Sequence, residues 1–234
     1  MRSALILLFL LLLPVLAACT EAAPEPKPTI QDLPRIALPQ VRLEGNVSLE
    51  EALVRRRSIR DYAAEELPLA HVAQLLWAAQ GITSEWGGRT APSAGALYPL
   101  EVYLVTGNVR GLDPGIYRYA PKEHELRLIK EEDVRGELAQ AALMQTFIQE
   151  AAVDIVISAV YKRTTHKYGD RGVRYVHMEA GHAAQNIYLQ AAALDLGMVT
   201  VGAFDDEWTK EIIGMADDEA PLYVIPVAEK IRGS

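Results

Sequence analysis

The chain carries a single cysteine, Cys19, in 234 residues. One cysteine, placed in the leader, excludes an intramolecular disulfide, a cysteine–zinc site and a thiol nucleophile within the fold. Positive charge is also short. Lys and Arg number 23 against 31 Asp and Glu, for a formal net charge of -8. An acidic chain is a poor candidate for general nucleic-acid binding, and no nucleic-acid partner is expected. No G-x-G-x-x-G follows a strand and no G-x-x-x-x-G-K-[ST] is present, so neither a dinucleotide fold nor a P-loop is supported. Ser93 stands in "PSAG" rather than in G-x-S-x-G, which leaves a serine hydrolase unsupported. No repeat of solenoid period occurs. One Glu-x-x-His pair, Glu179 and His182, falls short of the two that a di-iron bundle needs. No metal is expected, and His182 reads as a packing or hydrogen-bonding residue.

What is present begins with an apolar run. Arg2 is followed by an unbroken hydrophobic segment from Ala4 to Leu13, then by small residues before Cys19. This is the pattern of a signal peptide, too short and wrongly flanked for an ordinary spanning helix. Leu16-Ala17-Ala18-Cys19 is similar to the bacterial lipobox, whose cysteine is lipidated and becomes the first mature residue. An uncleaved anchor helix or a plain secretory signal stays open; each implies export. Residues 20–40 hold five prolines and little apolar periodicity, as an extended tether would. The expected organisation is a signal peptide over 1–18, a lipidated Cys19 with its Pro-rich tether over 19–46, and one domain over 47–234. At 50% hydrophobic residues the chain can bury a sizeable core.

Ser48 and Glu51 have capping-box spacing, which predicts a helix from Leu49. Pro68 opens a second, with an apolar stripe of Val72, Leu75, Leu76 and Ala79 and an end at Gly81. Residues 81–99 read as a long ordered loop, more often functional than idle in a compact domain. Strands are predicted from Glu101, in a hairpin turning near Pro121 and Lys122, and over 153–161. Helices are predicted over 132–151 and about 174–196, the second ending at Gly197. "MVTVGAF" is a strand, "DEWTKEIIG" a short helix and "PLYVIPVAE" a last strand. Hairpins interspersed with helices argue for an α+β sandwich rather than a doubly wound sheet.

Residues 55–60 read "RRRSIR", four arginines in six positions within an acidic chain. They repel one another, so they form either a solvated helix face or a site for an anion. In "APSAGALYP" small residues let backbone approach a planar ring closely, although on the residues alone an irregular turn is the favoured reading.

Three stretches together resemble the nitroreductase-type FMN oxidoreductases. "RRRSIRDY" resembles that family's opening arginine–serine signature. "APSAGALYPLEVYLV" is similar to the loop and strand of its SagB/ThcOx branch, the thiazoline and oxazoline dehydrogenases. "VRYVHMEAGHAAQNIYLQAAALDLGMVTVGAF", from Val173, resembles the branch's core helix and following strand, and "VAEKIRGS" its basic tail. The resemblance covers about residues 47–232. It implies a nitroreductase-like α+β sandwich, a central mostly antiparallel sheet flanked by helices, working as a homodimer with FMN at the interface.

On that resemblance Arg56, Arg57 and Ser58 serve the FMN phosphate and ribityl chain, joined by Lys230 and Arg232. Arg60 reaches the flavin N1–C2 edge. Pro92, Ser93, Ala94 and Gly95 line the isoalloxazine, and backbone near Val201, Gly202 and Ala203 faces N5 and O4. Lys167 and Tyr168 fall where the branch keeps a proton-transfer pair; a surface lysine beside a packed tyrosine is the other reading. The implied activity is hydride exchange at N5 with a small-molecule or peptide-heterocycle substrate, in an exported, lipid-anchored protein. A flavin-binding or flavin-degrading lipoprotein, or a cofactor-less membrane-tethered interaction module, stays open.

Overall fold

The computed structural model describes residues 33–231. The expected signal peptide, Cys19, much of the tether and Arg232 lie outside them. In chain order the elements are β1 (Arg35–Ala37), α1 (Leu49–Arg55), β2 (Leu67–Pro68), α2 (Leu69–Gln80), β3 (Leu100–Thr106), β4 (Val109–Arg110), β5 (Gly115–Ala120) and β6 (Glu125–Lys130). Then come α3 (Arg135–Ala141), α4 (Phe147–Glu150), β7 (Val153–Ala159), α5 (Lys162–Tyr168), α6 (Arg171–Ala193), β8 (Leu196–Met198), α7 (Asp206–Ile213) and β9 (Ala220–Glu229).

Seven strands form one sheet in the order β1-β6-β5-β3-β7-β9-β8, every neighbouring pair antiparallel. β2 and β4 make a separate two-stranded parallel pair. Strand side chains alternate faces, and that alternation builds two cores. Val102, Leu104, Ile155 and Ile225 pack with α2 and α6 through Val72, Leu75, Ala180 and Ile187. Tyr103, Val105, Val156 and Val224 pack on the other face with Leu138, Ile148 and Ile213 from α3, α4 and α7. The fold is the expected α+β sandwich.

Local chemistry places the helix starts. The Ser48 hydroxyl accepts the Glu51 N–H at 3.1 Å, closing the N-terminus of α1. Asp205 does the same for α7 through the Trp208 N–H at 2.8 Å. Pro68 precedes α2, where its missing N–H costs nothing.

Several features differ from the sequence expectations, among them the strand expected over 198–204: β8 spans Leu196–Met198, and beyond it only Val201 makes an isolated bridge, to Val224. The sheet takes in Arg35–Ala37, inside the segment assigned to a tether, because Ile36 packs on the first core and the strand pairs with β6. The helix predicted over 132–151 is broken between α3 and α4, where Leu143 and Met144 adopt φ of 57° and 61°. α5 was not predicted. α6 ends at Ala193 rather than at Gly197, since Asp195 takes φ 60° and turns the chain into β8. Gly197 instead serves close packing. A Cβ there would come within 3.0 Å of Ile59, so the glycine lets the arginine segment lie close on β8. No helix among the described residues is long and apolar enough to cross a membrane.

Candidate functional site

The arginines leave α1 as the chain becomes extended at Arg56, with φ -54° and ψ 123°. The Ile59 N–H donates to Met198 O at 2.9 Å and ties the segment to β8. Its side chains diverge. Arg55 pairs with Glu51 one turn earlier. Arg57 turns back to the last carbonyls of the helix, donating to Val54 O at 2.9 Å and Arg56 O at 2.7 Å. The Arg56 guanidinium lies 5.2 Å from the centre of the Tyr188 ring on α6. Neither Arg56 nor Arg57 pairs with a carboxylate among the described residues.

Tyr188 organises this corner. Its hydroxyl accepts the Thr200 N–H at 3.1 Å and lies 3.0 Å from Ser58 Oγ. It therefore joins the arginine segment, α6 and the backbone leading to Val201. Lys230, just past β9, arrives at the same place, with Nζ 2.8 Å from Asp195 Oδ1. Arg55, Arg56, Arg57, Tyr188, Met198 and Lys230 line one small cleft, with Arg55 already engaged by Glu51. Four of the residues assigned to an anion from sequence (Arg56, Arg57, Ser58 and Lys230) are thus brought together.

Arg60 is directed elsewhere, its guanidinium 5.6 Å from the centre of the Phe147 ring at the start of α4. Two residues before Phe147, the Gln145 amide donates to Ala203 O at 3.1 Å. Val201 exchanges backbone hydrogen bonds with Val224 at 2.8 and 3.0 Å, leaving Gly202 and Ala203 exposed beyond the sheet. Arg60 and the Val201–Ala203 segment so share the edge formed with α4.

The loop before β3 makes a second cleft. Pro92, Ser93 and Ala94 face Tyr175, Met178, Glu179 and His182 of α6. Ser93 Oγ accepts the Tyr98 N–H at 2.9 Å and fixes the loop's closing turn. Gly95 has φ 64°, a conformation that glycine adopts without strain. A Cβ at Gly95 would meet the Tyr168 hydroxyl at 2.7 Å and Lys167 Nζ at 3.0 Å. The pair at the end of α5 is therefore pressed against this loop, and Tyr168 stacks edge-on with Tyr175 at 5.2 Å between centroids. Arg163 on α5 donates to Tyr98 O at 3.1 Å and pairs with Glu101 at 2.6 Å, locking helix, loop and β3 together.

Glu179 is 2% exposed. Burial lifts its carboxyl to about 7, although the Ser93 hydrogen bond and the Arg89 charge pull the other way. Its Oε1 has no hydrogen-bond partner. No group of three or more His, Cys, Asp or Glu among the described residues could hold a metal.

The two clefts flank α6 but do not merge. Glu179 and Tyr188 are nine residues apart, about 2.5 turns and 14 Å along the axis, so they point to opposite sides of the helix. Sequence reasoning missed Tyr188, whose one signal was its place in the "AQNIYLQ" stretch of the core helix. It also read Glu179 only as half of a metal pair.

The nitroreductase family model matches residues 53–229 of the chain. A Methanocaldococcus jannaschii protein assigned to the nitroreductases is 48% identical over 201 residues, 86% of this chain and 99% of its own length. A solved Anabaena variabilis structure with the same assignment superposes with a TM-score of 0.77 at 32% identity, over 88% of this chain; this chain spans 43% of that one. The NADPH:FMN oxidoreductase of Vibrio harveyi shares the fold, with a TM-score of 0.58 at 20% identity over 79% of this chain and 69% of its own.

Proposed function

This chain belongs to the nitroreductase family, and from that premise we propose that it is an FMN-dependent oxidoreductase. It exchanges a hydride with a small-molecule or peptide-heterocycle substrate. The observation that carries the reading is the meeting of Arg56, Arg57 and Lys230 in one cleft around Tyr188. Two guanidiniums without carboxylate partners among the described residues fit a group bearing a phosphate of nearly two negative charges. The planar fork of arginine can engage two phosphate oxygens at once. Pro92 and Ala94 keep the wall of the second cleft small and apolar, as a flat ring would need, while Gly95 makes way for Lys167 and Tyr168. Bound FMN would supply the two-electron chemistry; the chain holds it, orients it and manages protons.

A narrower reading, a dehydrogenase of thiazoline- or oxazoline-type rings, is supported by Lys167 and Tyr168 lying against Gly95. Oxidising such a ring releases a proton as the hydride leaves, and a positioned lysine or tyrosine can take it.

The test is colour and stoichiometry. The purified protein should be yellow and release one FMN per chain on denaturation. Arg56→Ala with Lys230→Ala should lose the flavin, whereas Arg55→Ala should keep it, because Arg55 is already paired with Glu51. A protein that neither purifies yellow nor takes up added FMN defeats the reading.

Export and a membrane tether at Cys19 belong to the same proposal, resting on the leader and the Leu16–Cys19 run. Two or more acyl chains would be needed for stable anchoring. Cys19→Ser should abolish lipid labelling and accumulate unprocessed precursor; unchanged mass and membrane retention would refute the anchor.

A further inference from the structure

The three buried acids among the described residues are served very differently. Glu219 accepts the Tyr103 and Ser158 hydroxyls at 2.8 Å each and faces Arg118 at 3.7 Å. Asp154 has no partner but lies inside the sheet, between Val105 and Pro226. Glu179 alone of the three lines a cleft, of about 230 Å³, where Ser93 stands in the same wall and Glu179 Oε1 has no hydrogen-bond partner. Ser93 Oγ accepts the Tyr98 N–H with one lone pair, which leaves its second lone pair for the Glu179 O–H and its own proton for an acceptor in the cleft. A carboxyl kept for structure alone would be expected to hold a cation. Arg89 is the nearest candidate, but it donates to Gln80 at 2.7 Å and lies over the Tyr98 ring.

We propose that Glu179 is a proton donor of this site, acting through the Ser93 hydroxyl on a quinone-type acceptor ring held in the cleft. The walls suit a flat conjugated ring: Pro92, Ala94, Met178 and the Tyr175 ring are largely apolar, with Ser93 and Glu179 as polar points. The inference rests on the oxidoreductase reading, which supplies the hydride from reduced flavin. A quinone that accepts a hydride gains two electrons and one proton, and becomes a hydroquinone anion. The Ser93 O–H proton passes to that phenolate oxygen as the Glu179 O–H proton passes to Ser93. Water then returns a proton to the carboxylate. This is separate from Lys167 and Tyr168, which take up a proton in the oxidative direction.

The groups around Glu179 define its pH behaviour. His182 and Tyr175 share the cleft from its own helix, Arg89 acts on it from the loop after α2, and Lys167 and Tyr168 of α5 flank the loop on the Gly95 side. With its carboxyl lifted to about 7, a large fraction is protonated at neutral pH. The donor is lost as pH rises through that value.

Infrared titration of the full chain tests the acid directly. A protonated-carboxyl band should bleach with an apparent pKa near 7, and Glu179→Gln should remove it. In stopped flow, Glu179→Gln should keep its FMN, reduce quinones about 100-fold more slowly and lose the alkaline fall in rate. Ser93→Ala should keep the band yet slow the same step. A band unchanged in Glu179→Gln, or wild-type rates and pH profile in that variant, overturns the proposal. A band that titrates in a protein without flavin counts against the oxidoreductase reading instead, and removes the acceptor with it.

Discussion

Asp154 is the second residue of β7 and has no hydrogen-bond partner for either carboxyl oxygen. Burial raises its carboxyl well above the ordinary aspartate range, Arg135 offsetting part of this. The folded protein therefore holds a proton at Asp154 that the unfolded chain releases above about pH 4. With the proton bound only in the folded state, stability falls as pH rises, at about 1.4 kcal/mol per unit until the folded carboxyl itself ionises. Stability is greatest below the unfolded value, the reverse of a salt-bridged aspartate. Asp154→Asn removes the titration. Denaturant melts of both proteins at several pH values above 4 should show the variant gaining on the wild type by that slope. Parallel stabilities across the range would mean that Asp154 is ionised in the fold. Glu179 shares the burial but not the setting, because it faces a cleft where its proton can be exchanged.

Among the elements, those with a local chemical marker were legible in the sequence. The Ser48 cap, Pro68 and the β-branched run of β7 each act within a few residues, and α1, α2 and β7 fall where they predict. The seven-stranded order was not legible, since it depends on pairings such as Leu196 with Glu229 that no local pattern encodes. β1 was hidden by the prolines on either side of it, and its place is fixed by β6 rather than by its own sequence. The break between α3 and α4 requires left-handed backbone at Leu143 and Met144, residues without that preference. Gln145 helps to hold it, its side chain donating to Ala142 O at 2.7 Å and Ala203 O at 3.1 Å. The site was legible where charge marked it. Arg56, Arg57 and Lys230 do converge, but the tyrosine that gathers them carries no charge and stands far off in sequence.

For the whole molecule, the proposed FMN would have to reach both clefts. Within one chain the cationic cleft and the Pro92–Gly95 loop lie on opposite sides of α6, about 14 Å apart along it. A twofold pairing of chains would set the loop of one against the arginines of the other, since a cyclic dimer presents the same surface twice. On that arrangement the homodimer that the family resemblance implies would be a condition for activity. Mixed dimers test it. Take one chain with Arg56→Ala and Lys230→Ala, and a second with Lys167→Ala. The first should lose FMN. The second should keep FMN but oxidise its substrate roughly 100- to 10,000-fold more slowly. If each site takes its cations from one chain and its Lys–Tyr pair from the other, a mixed dimer has one site with both defects and one with neither. Equal mixing makes half the dimers mixed, each with one of two sites intact, so about a quarter of the wild-type activity should return. If both halves of a site come from the same chain, every site in every mixed dimer carries one defect and no activity returns. Unfolding and refolding the two chains together, then measuring oxidation against each chain refolded alone, separates these outcomes.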